Sequence, residues 1–237
     1  MAAALLTAAS GCAPHLAATP NLLQHQDPQK VYADCPPDWQ SADAAVLFAT
    51  DRVLVDPAAK QPSFGVGRAP SLTFGVAEVS LSPQPSWKEL TQDSTTTARS
   101  HEYALKVARV HTDGEIQPLI EQAVLSGQGT AITQTAALQD RTAVNRLHEL
   151  LRRRLAPTTH KDVFIFVHGF NNTFDDAVFR AAEIWHFMGR VGVPVAYSWP
   201  AGYVVIPTTA NRASTPSRIC ATSSRTSPNV PTSSACT

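Results

Sequence analysis

Polar and apolar residues alternate from Ser71 to Leu81 (Ser-Leu-Thr-Phe-Gly-Val-Ala-Glu-Val-Ser-Leu), a period of two that predicts a half-buried strand. The apolar run Ala44–Thr50, leading into Asp51-Arg52, and the stretch Tyr103–Val110 predict two more strands. Pro- and Gly-containing turns separate them, so the N-terminal part reads as strand-rich. Two helical patterns follow, at about Glu115–Leu125 and Ala136–Leu155. In the second, Leu138, Val144, Leu147, Leu150 and Leu151 share one broad face, and Arg152, Arg153 and Arg154 sit where the helix dipole favours cations. These three arginines are read as a solvated last turn rather than an anion site.

The pattern then changes to a continuous apolar run, Asp162–His168 (Asp-Val-Phe-Ile-Phe-Val-His), of the kind buried on both faces in a parallel sheet. Gly169-Phe170-Asn171-Asn172-Thr173 follows. Phe174, Ala177, Val178, Ala181, Ile184, Trp185 and Met188 then recur at helical spacing, with Asp175 and Asp176 in the first turn and Gly189 after the last. A further strand, Val193–Trp199, completes a βαβ unit, whose home is a parallel sheet.

Composition changes this picture at the two ends. Of 237 residues, 19 are basic and 19 acidic, so the formal charge is zero and nothing favours nucleic acid as a partner. Only 16% of residues are charged, against about 25% in a typical soluble domain, and the deficit lies at the termini. Met1–Cys12 is small and apolar and ends in Ala9-Ser10-Gly11-Cys12, the shape of an export signal that stops at a lipid-modified cysteine. Cys12 is thus a candidate lipidation site, with a lipid anchor in the cell envelope as the expected localisation. No basic residue precedes the apolar run, as a start codon assigned too far downstream would explain. From Val204 to Thr237 the chain is rich in Ser and Thr and contains no Asp, Glu, Lys, Leu, Phe or Gly, a composition that predicts disorder. Cys12, Cys35, Cys220 and Cys236 show no C-x-x-C spacing and the eight histidines form no H-E-x-x-H helix, so neither a metal nor a cofactor is expected.

The chemistry is concentrated at His168-Gly169. A strand that ends in His-Gly and turns into a helix directs the amides after the glycine out of the carboxyl end of the strand, beside a helix N-terminus. Such amides can stabilise a developing oxyanion. Val-Phe-Ile-Phe-Val-His-Gly-Phe-Asn-Asn resembles the third core strand and oxyanion loop of α/β hydrolases, and Tyr197-Ser198-Trp199-Pro200 resembles the end of their next strand. More narrowly, Ala49-Thr50-Asp51-Arg52, the Phe74-Gly75 strand and His-Gly-Phe-Asn-Asn-Thr-Phe are similar to a family of largely uncharacterised bacterial esterase/lipase-like proteins, often lipoproteins. The resemblance covers about Cys12 to Gly202. It implies an oxyanion loop of His168, Gly169, Phe170 and Asn171, with the Phe170 amide as a donor, Asn171 shaping the loop and His168 buttressing it by hydrogen bonding. Asn172 and Thr173 are expected as helix caps, and Asp175 and Asp176 as dipole partners. A small ester or acyl compound would be the substrate of an intact relative.

The resemblance also implies a nucleophile on a G-x-S-x-G elbow after the fifth strand, followed by an acid and a histidine. The 237 residues contain no such pentapeptide and no histidine beyond His186. No catalytic residue is therefore assigned, because an oxyanion loop without a nucleophile cannot form an acyl-enzyme. Read one base earlier, the codons of Thr208–Thr226 permit a charged, amphipathic helix similar to the sequence that follows Ser-Trp-Pro in this family. A frameshift near Tyr203 is the expectation drawn from it. The nucleotide-binding alternative fails because Gly169-Phe170-Asn171-Asn172 holds one glycine only.

The sequence thus predicts an α/β fold: an incomplete α/β-hydrolase-type, mostly parallel sheet with a strand-rich N-terminal extension and disordered termini. The expected organisation is a signal-like segment (1–12), a linker (13–40), a strand-rich part (41–130), the first half of a hydrolase domain (131–202) and an out-of-frame tail (203–237). In such a truncated sheet the strand ending at Trp199 is expected to present an apolar edge. A non-catalytic envelope lipoprotein that binds a partner through its strand-rich part is the alternative function.

Overall fold

The computed structural model describes residues 14–56, 58–117 and 134–201, the side chains of 134–139 excepted. Cys12, Cys220, Cys236 and the Ser/Thr-rich segment lie outside the described residues. Among the described residues the fold is α/β, a mixed five-stranded sheet covered by a long helix on each face. The strands are β1 (Ala44–Leu54), β2 (Phe64–Ser82), β3 (Ala104–Ile116), β4 (Val163–Val167) and β5 (Val193–Ser198), in the spatial order β3-β2-β1-β5-β4. β1 to β3 form an antiparallel meander, whereas β5 runs parallel to both β1 and β4. One sheet therefore spans the strand-rich part and the βαβ unit, joined where Phe48 of β1 faces Ala196 of β5.

Short helices α1 (Pro28–Val31) and α2 (Trp87–Asp93) precede the two long ones, α3 (Gln134–Leu155) and α4 (Phe174–Phe187). The alternation of β1 feeds both layers. Val46 and Phe48 point to the α4 side, where Phe174, Val178 and Trp185 are buried. Leu47 points the other way, onto Ala143 and Leu150 of α3, with Phe74 and Val193 beside them. α4 starts on a capping box in which Thr173 and Asp176 exchange hydrogen bonds. It ends at Gly189 with φ +81°, where a side chain would collide with the Val31 carbonyl at 2.4 Å.

Four expectations need correction. Residues 13–40 were expected to be a linker, but those described carry α1 and bury Leu16, Tyr32 and Cys35 against the core. Their main chain joins β3, with Leu16 N donating to Tyr103 O at 2.8 Å and Leu105 N to Pro14 O at 2.7 Å. The helix expected from Glu115 does not begin there, because Glu115 and Ile116 pair with Thr73 and Leu72 as the end of β3. The rest of that segment, from residue 118, lies outside the described residues. β4 is not buried on both faces: Val163, Ile165 and Val167 are 39%, 65% and 57% exposed. Finally, the strand ending at Trp199 is not the sheet edge. β5 crosses back to lie between β1 and β4, which leaves β4 as the outer strand among the described residues.

Candidate functional site

The carboxyl ends of β4 and β5 and the middle of β1 converge on His168. Its ring is buried and stacks parallel to the Trp199 indole with centroids 5.5 Å apart. The Trp199 amide donates to His168 Nε2 at 3.1 Å, and the indole Nε1–H donates to the His168 carbonyl at 2.9 Å. A backbone amide can only donate, so Nε2 carries no proton and the proton sits on Nδ1. Nδ1–H in turn donates to the Gly169 carbonyl at 2.7 Å. This tautomer makes His168 a fixed strut between β5 and the loop.

Arg52 lies beneath the same loop. The residue is 2% exposed, yet every nitrogen of its guanidinium is engaged. Nε donates to Ser198 Oγ at 2.8 Å, Nη1 to the Gly65 carbonyl at 3.0 Å and Nη2 to the Asn172 carbonyl at 2.6 Å, with His168 Nε2 at 3.5 Å from Nη2. Thr50 Oγ1 donates to the Ser198 carbonyl at 2.6 Å and accepts from the Arg52 amide. One guanidinium therefore touches the first and last residues of the 168–172 loop. Burial pulls the Arg52 pKa down, opposed by the charges of Asp51 and Asp176. Ser198 Oγ is 3.4 Å from His168 Nε2, but Ser198 is fully enclosed, so this contact presents no nucleophile to a substrate.

The Gly169, Phe170 and Asn172 carbonyls of the loop each accept a hydrogen bond. Asn172 Nδ2 donates to the Gly169 and Phe170 carbonyls at 3.3 and 2.9 Å, so this side chain braces the turn and is not a helix cap. Thr173 is the cap, and Asp176 completes its box. Asn171 sits at φ +59°, a left-handed conformation that asparagine tolerates. Among the described residues no acceptor takes the amides of Phe170 and Asn171, and Phe170 is 63% exposed. A Cβ at Gly169 would meet nothing within 4 Å, so the face of the loop is open.

His168, Gly169, Phe170 and Asn171 lie in the turn between β4 and α4. Arg52 and Trp199 were not singled out for a role. The signal for Arg52 was its place in Ala49-Thr50-Asp51-Arg52, directly after an apolar run. Of the three arginines of α3, Arg152 pairs with Glu149, whereas Arg154 reaches the Ala45 carbonyl at 2.7 Å and lies over Trp39.

A second polar cluster, around His186, has no counterpart in the sequence reading. Arg190 Nε donates to His186 Nδ1 at 3.2 Å, so the ring proton is on Nε2, facing Ser94 Oγ at 2.8 Å and Tyr32 Oη at 3.0 Å. Such a histidine cannot take a proton from Ser94, and the pair is fully buried, so it locks α4 to the N-terminal segment rather than forming a nucleophile and base. Burial pushes the nearby Cys35 thiol up to about 11, away from thiolate chemistry. Among the described residues no group of His, Cys, Asp and Glu could hold a metal ion. No helix among them is long and apolar enough to cross a membrane.

Residues 143–222 match the family described as "Alpha/beta hydrolase of unknown function (DUF900)". The match begins within α3, takes in β4, the His168 loop, α4 and β5, and runs on to residue 222, past the described residues. No curated protein and no solved structure matches the chain.

Proposed function

We propose, from the match of residues 143–222 to a family described as an α/β hydrolase of unknown function, that the chain carries the oxyanion-binding part of an acyl hydrolase of the esterase/lipase type. In this reading the Phe170 amide is the oxyanion donor and Asn171 shapes the turn that aims it. The observation that supports it most is that the Gly169, Phe170 and Asn172 carbonyls of the loop are hydrogen-bonded, while among the described residues no acceptor takes the amides of Phe170 and Asn171, just before the N-terminus of α4. Preorganised amides of this kind stabilise charge that develops on a carbonyl oxygen. His168 keeps the loop in place and transfers no proton, because both ring nitrogens are occupied.

With no G-x-S-x-G elbow in its 237 residues, the chain binds but does not turn over. The test has two arms on the purified chain. Butyrate, a carboxylate product mimic, is expected to shift the amide resonances of residues 169–173, while p-nitrophenyl butyrate is hydrolysed no faster than in buffer. Absence of any shift there defeats the oxyanion reading, and turnover defeats the reading of inactivity. The gene sequence tests the proposed frameshift near Tyr203: an open frame without an elbow one base away removes it.

The alternative, a non-catalytic envelope lipoprotein, is favoured by Ala9-Ser10-Gly11-Cys12. It requires that Cys12→Ser release the protein from the membrane fraction. An unchanged distribution rules anchoring out.

A further inference from the structure

We propose that the outer edge of β4 is a self-pairing interface, through which two copies of this chain join antiparallel across a two-fold axis at Ile165. This goes beyond the hydrolase reading and rests on β4 being the outer strand of the sheet among the described residues.

The observation that carries it is the sequence of the strand. Val163-Phe164-Ile165-Phe166-Val167 reads the same in both directions. Antiparallel pairing of two such strands about Ile165 sets Val163 opposite Val167 of the second copy, Phe164 opposite Phe166, and Ile165 opposite itself. A two-fold interface must be self-complementary, each patch meeting its own copy. A palindromic strand meets that condition residue by residue.

The hydrogen-bonding register agrees. Val193 N donates to Asp162 O at 2.9 Å, and β4 runs parallel to β5 with Val163 facing Val193 and Ile165 facing Val195. The N–H and C=O of one strand residue leave on the same side, and alternate residues face alternate neighbours. Asp162, Phe164 and Phe166 thus bond to β5, while Val163, Ile165 and Val167 direct both groups outward. In an antiparallel sheet, directly opposed residues of this class exchange both of their hydrogen bonds. The pairs 163 with 167, 165 with 165 and 167 with 163 are all of that class, so the two-fold at Ile165 leaves no outward group of the strand unpaired.

Both faces of the strand are prepared for it as well. Val163, Ile165 and Val167 line an apolar groove of about 320 Å³ against Leu147 and Leu151 of α3. Phe164 and Phe166 line another of about 270 Å³ beside Ile184 and Met188 of α4. In a continuous sheet opposed residues share a face, so Val163, Ile165 and Val167 of the two copies form one cluster. The strand carries no charge, proline or bulge, the usual devices that protect a free edge.

Sedimentation velocity of the full chain at micromolar concentration is expected to give a dimer, about twice 25.4 kDa. Ile165→Lys, which sets two ammonium groups face to face at the axis, is expected to give a monomer with an unchanged circular dichroism spectrum, since Ile165 is already 65% exposed. The register is tested by two double variants. Val163→Lys with Val167→Glu places opposite charges across the interface and is expected to keep the dimer, whereas Val163→Lys with Val167→Lys is expected to lose it. A monomeric parent chain overturns the proposal. Protected amides at 163, 165 and 167 in that monomer would show instead that residues 202–237 cover the edge. A dimer or larger species that survives Ile165→Lys, or double variants that behave alike, overturns it equally.

Discussion

The guanidinium of Arg52 donates to the carbonyl of Asn172 at 2.6 Å across 120 residues of sequence. Through the same group it lies 3.5 Å from His168 Nε2, so a residue of the N-terminal meander closes both ends of the loop that ends β4. The contact follows from the meander and the βαβ unit sharing one sheet. Arg52 can reach the loop only because β5 returns beside β1 and places Ser198 and Trp199 between them.

Arg52→Met is expected to lower stability by about 2–3 kcal/mol, because the Asn172 and Gly65 carbonyls lose buried donors. The larger effect is local. Amide exchange at residues 169–172 is expected to quicken by more than the global change allows, and the butyrate-induced shifts should vanish. Arg52→Lys keeps the charge but not the planar fork that spans three acceptors, so it should recover little of either. Urea titration with residue-resolved hydrogen exchange checks this. Exchange at the loop that follows global stability alone would make Arg52 an ordinary core strut.

Two glycines separate packing from open space. A Cβ at Gly75 would lie 2.0 Å from the His111 carbonyl, at a register irregularity between β2 and β3, and backbone cannot move aside cheaply there. Gly75→Ala is therefore expected to cost about 3 kcal/mol or more, or to prevent folding. At Gly169 a Cβ meets nothing within 4 Å, so Gly169→Ala should change stability by less than about 0.5 kcal/mol. Its methyl would occupy the open side of the loop, and weaker butyrate shifts are expected. Thermal melts of the two variants decide; similar losses of stability in both would mean that the loop face is filled by packing.

How much of this was legible in the sequence follows from the range of each interaction. β1, β2 and the βαβ unit were readable because alternation and helical spacing are local, and the His168 turn because a strand, a glycine and a capped helix follow one another directly. α2 left a local signal too, Ser86 and Glu89 at capping-box spacing, which the strand pattern around it obscured. The exposure of β4 was not readable. An apolar run of five residues looks the same at a sheet edge as at its centre, and only the return of β5 beside β1 decides between them. Arg52 and the packing of residues 14–42 were hidden for the same reason, since their partners His168, Asn172 and Tyr103 lie far along the chain.

Loss of stability in mild acid is expected to trace to His186. The ring is enclosed, accepts from Arg190 Nε on one nitrogen and faces Ser94 and Tyr32 with the other. Burial, reinforced by the charges of Arg190 and Arg99, holds its pKa well below the usual histidine value. In the unfolded chain the same imidazole takes up a proton as the pH falls through about 6.5, while the folded one does not. The unfolded state therefore binds more protons below that point, and by linkage the folding free energy declines with falling pH, by up to about 1.4 kcal/mol per unit for this group. Above about pH 6.5 the effect is absent. His186→Gln removes the titrating group and keeps an amide near Arg190 and Ser94. The variant should be less stable than the parent at neutral pH but lose stability more slowly between about pH 6.5 and 5. Urea unfolding of both proteins across that range measures the difference in slope. Parallel curves would mean that acid sensitivity originates elsewhere in the fold.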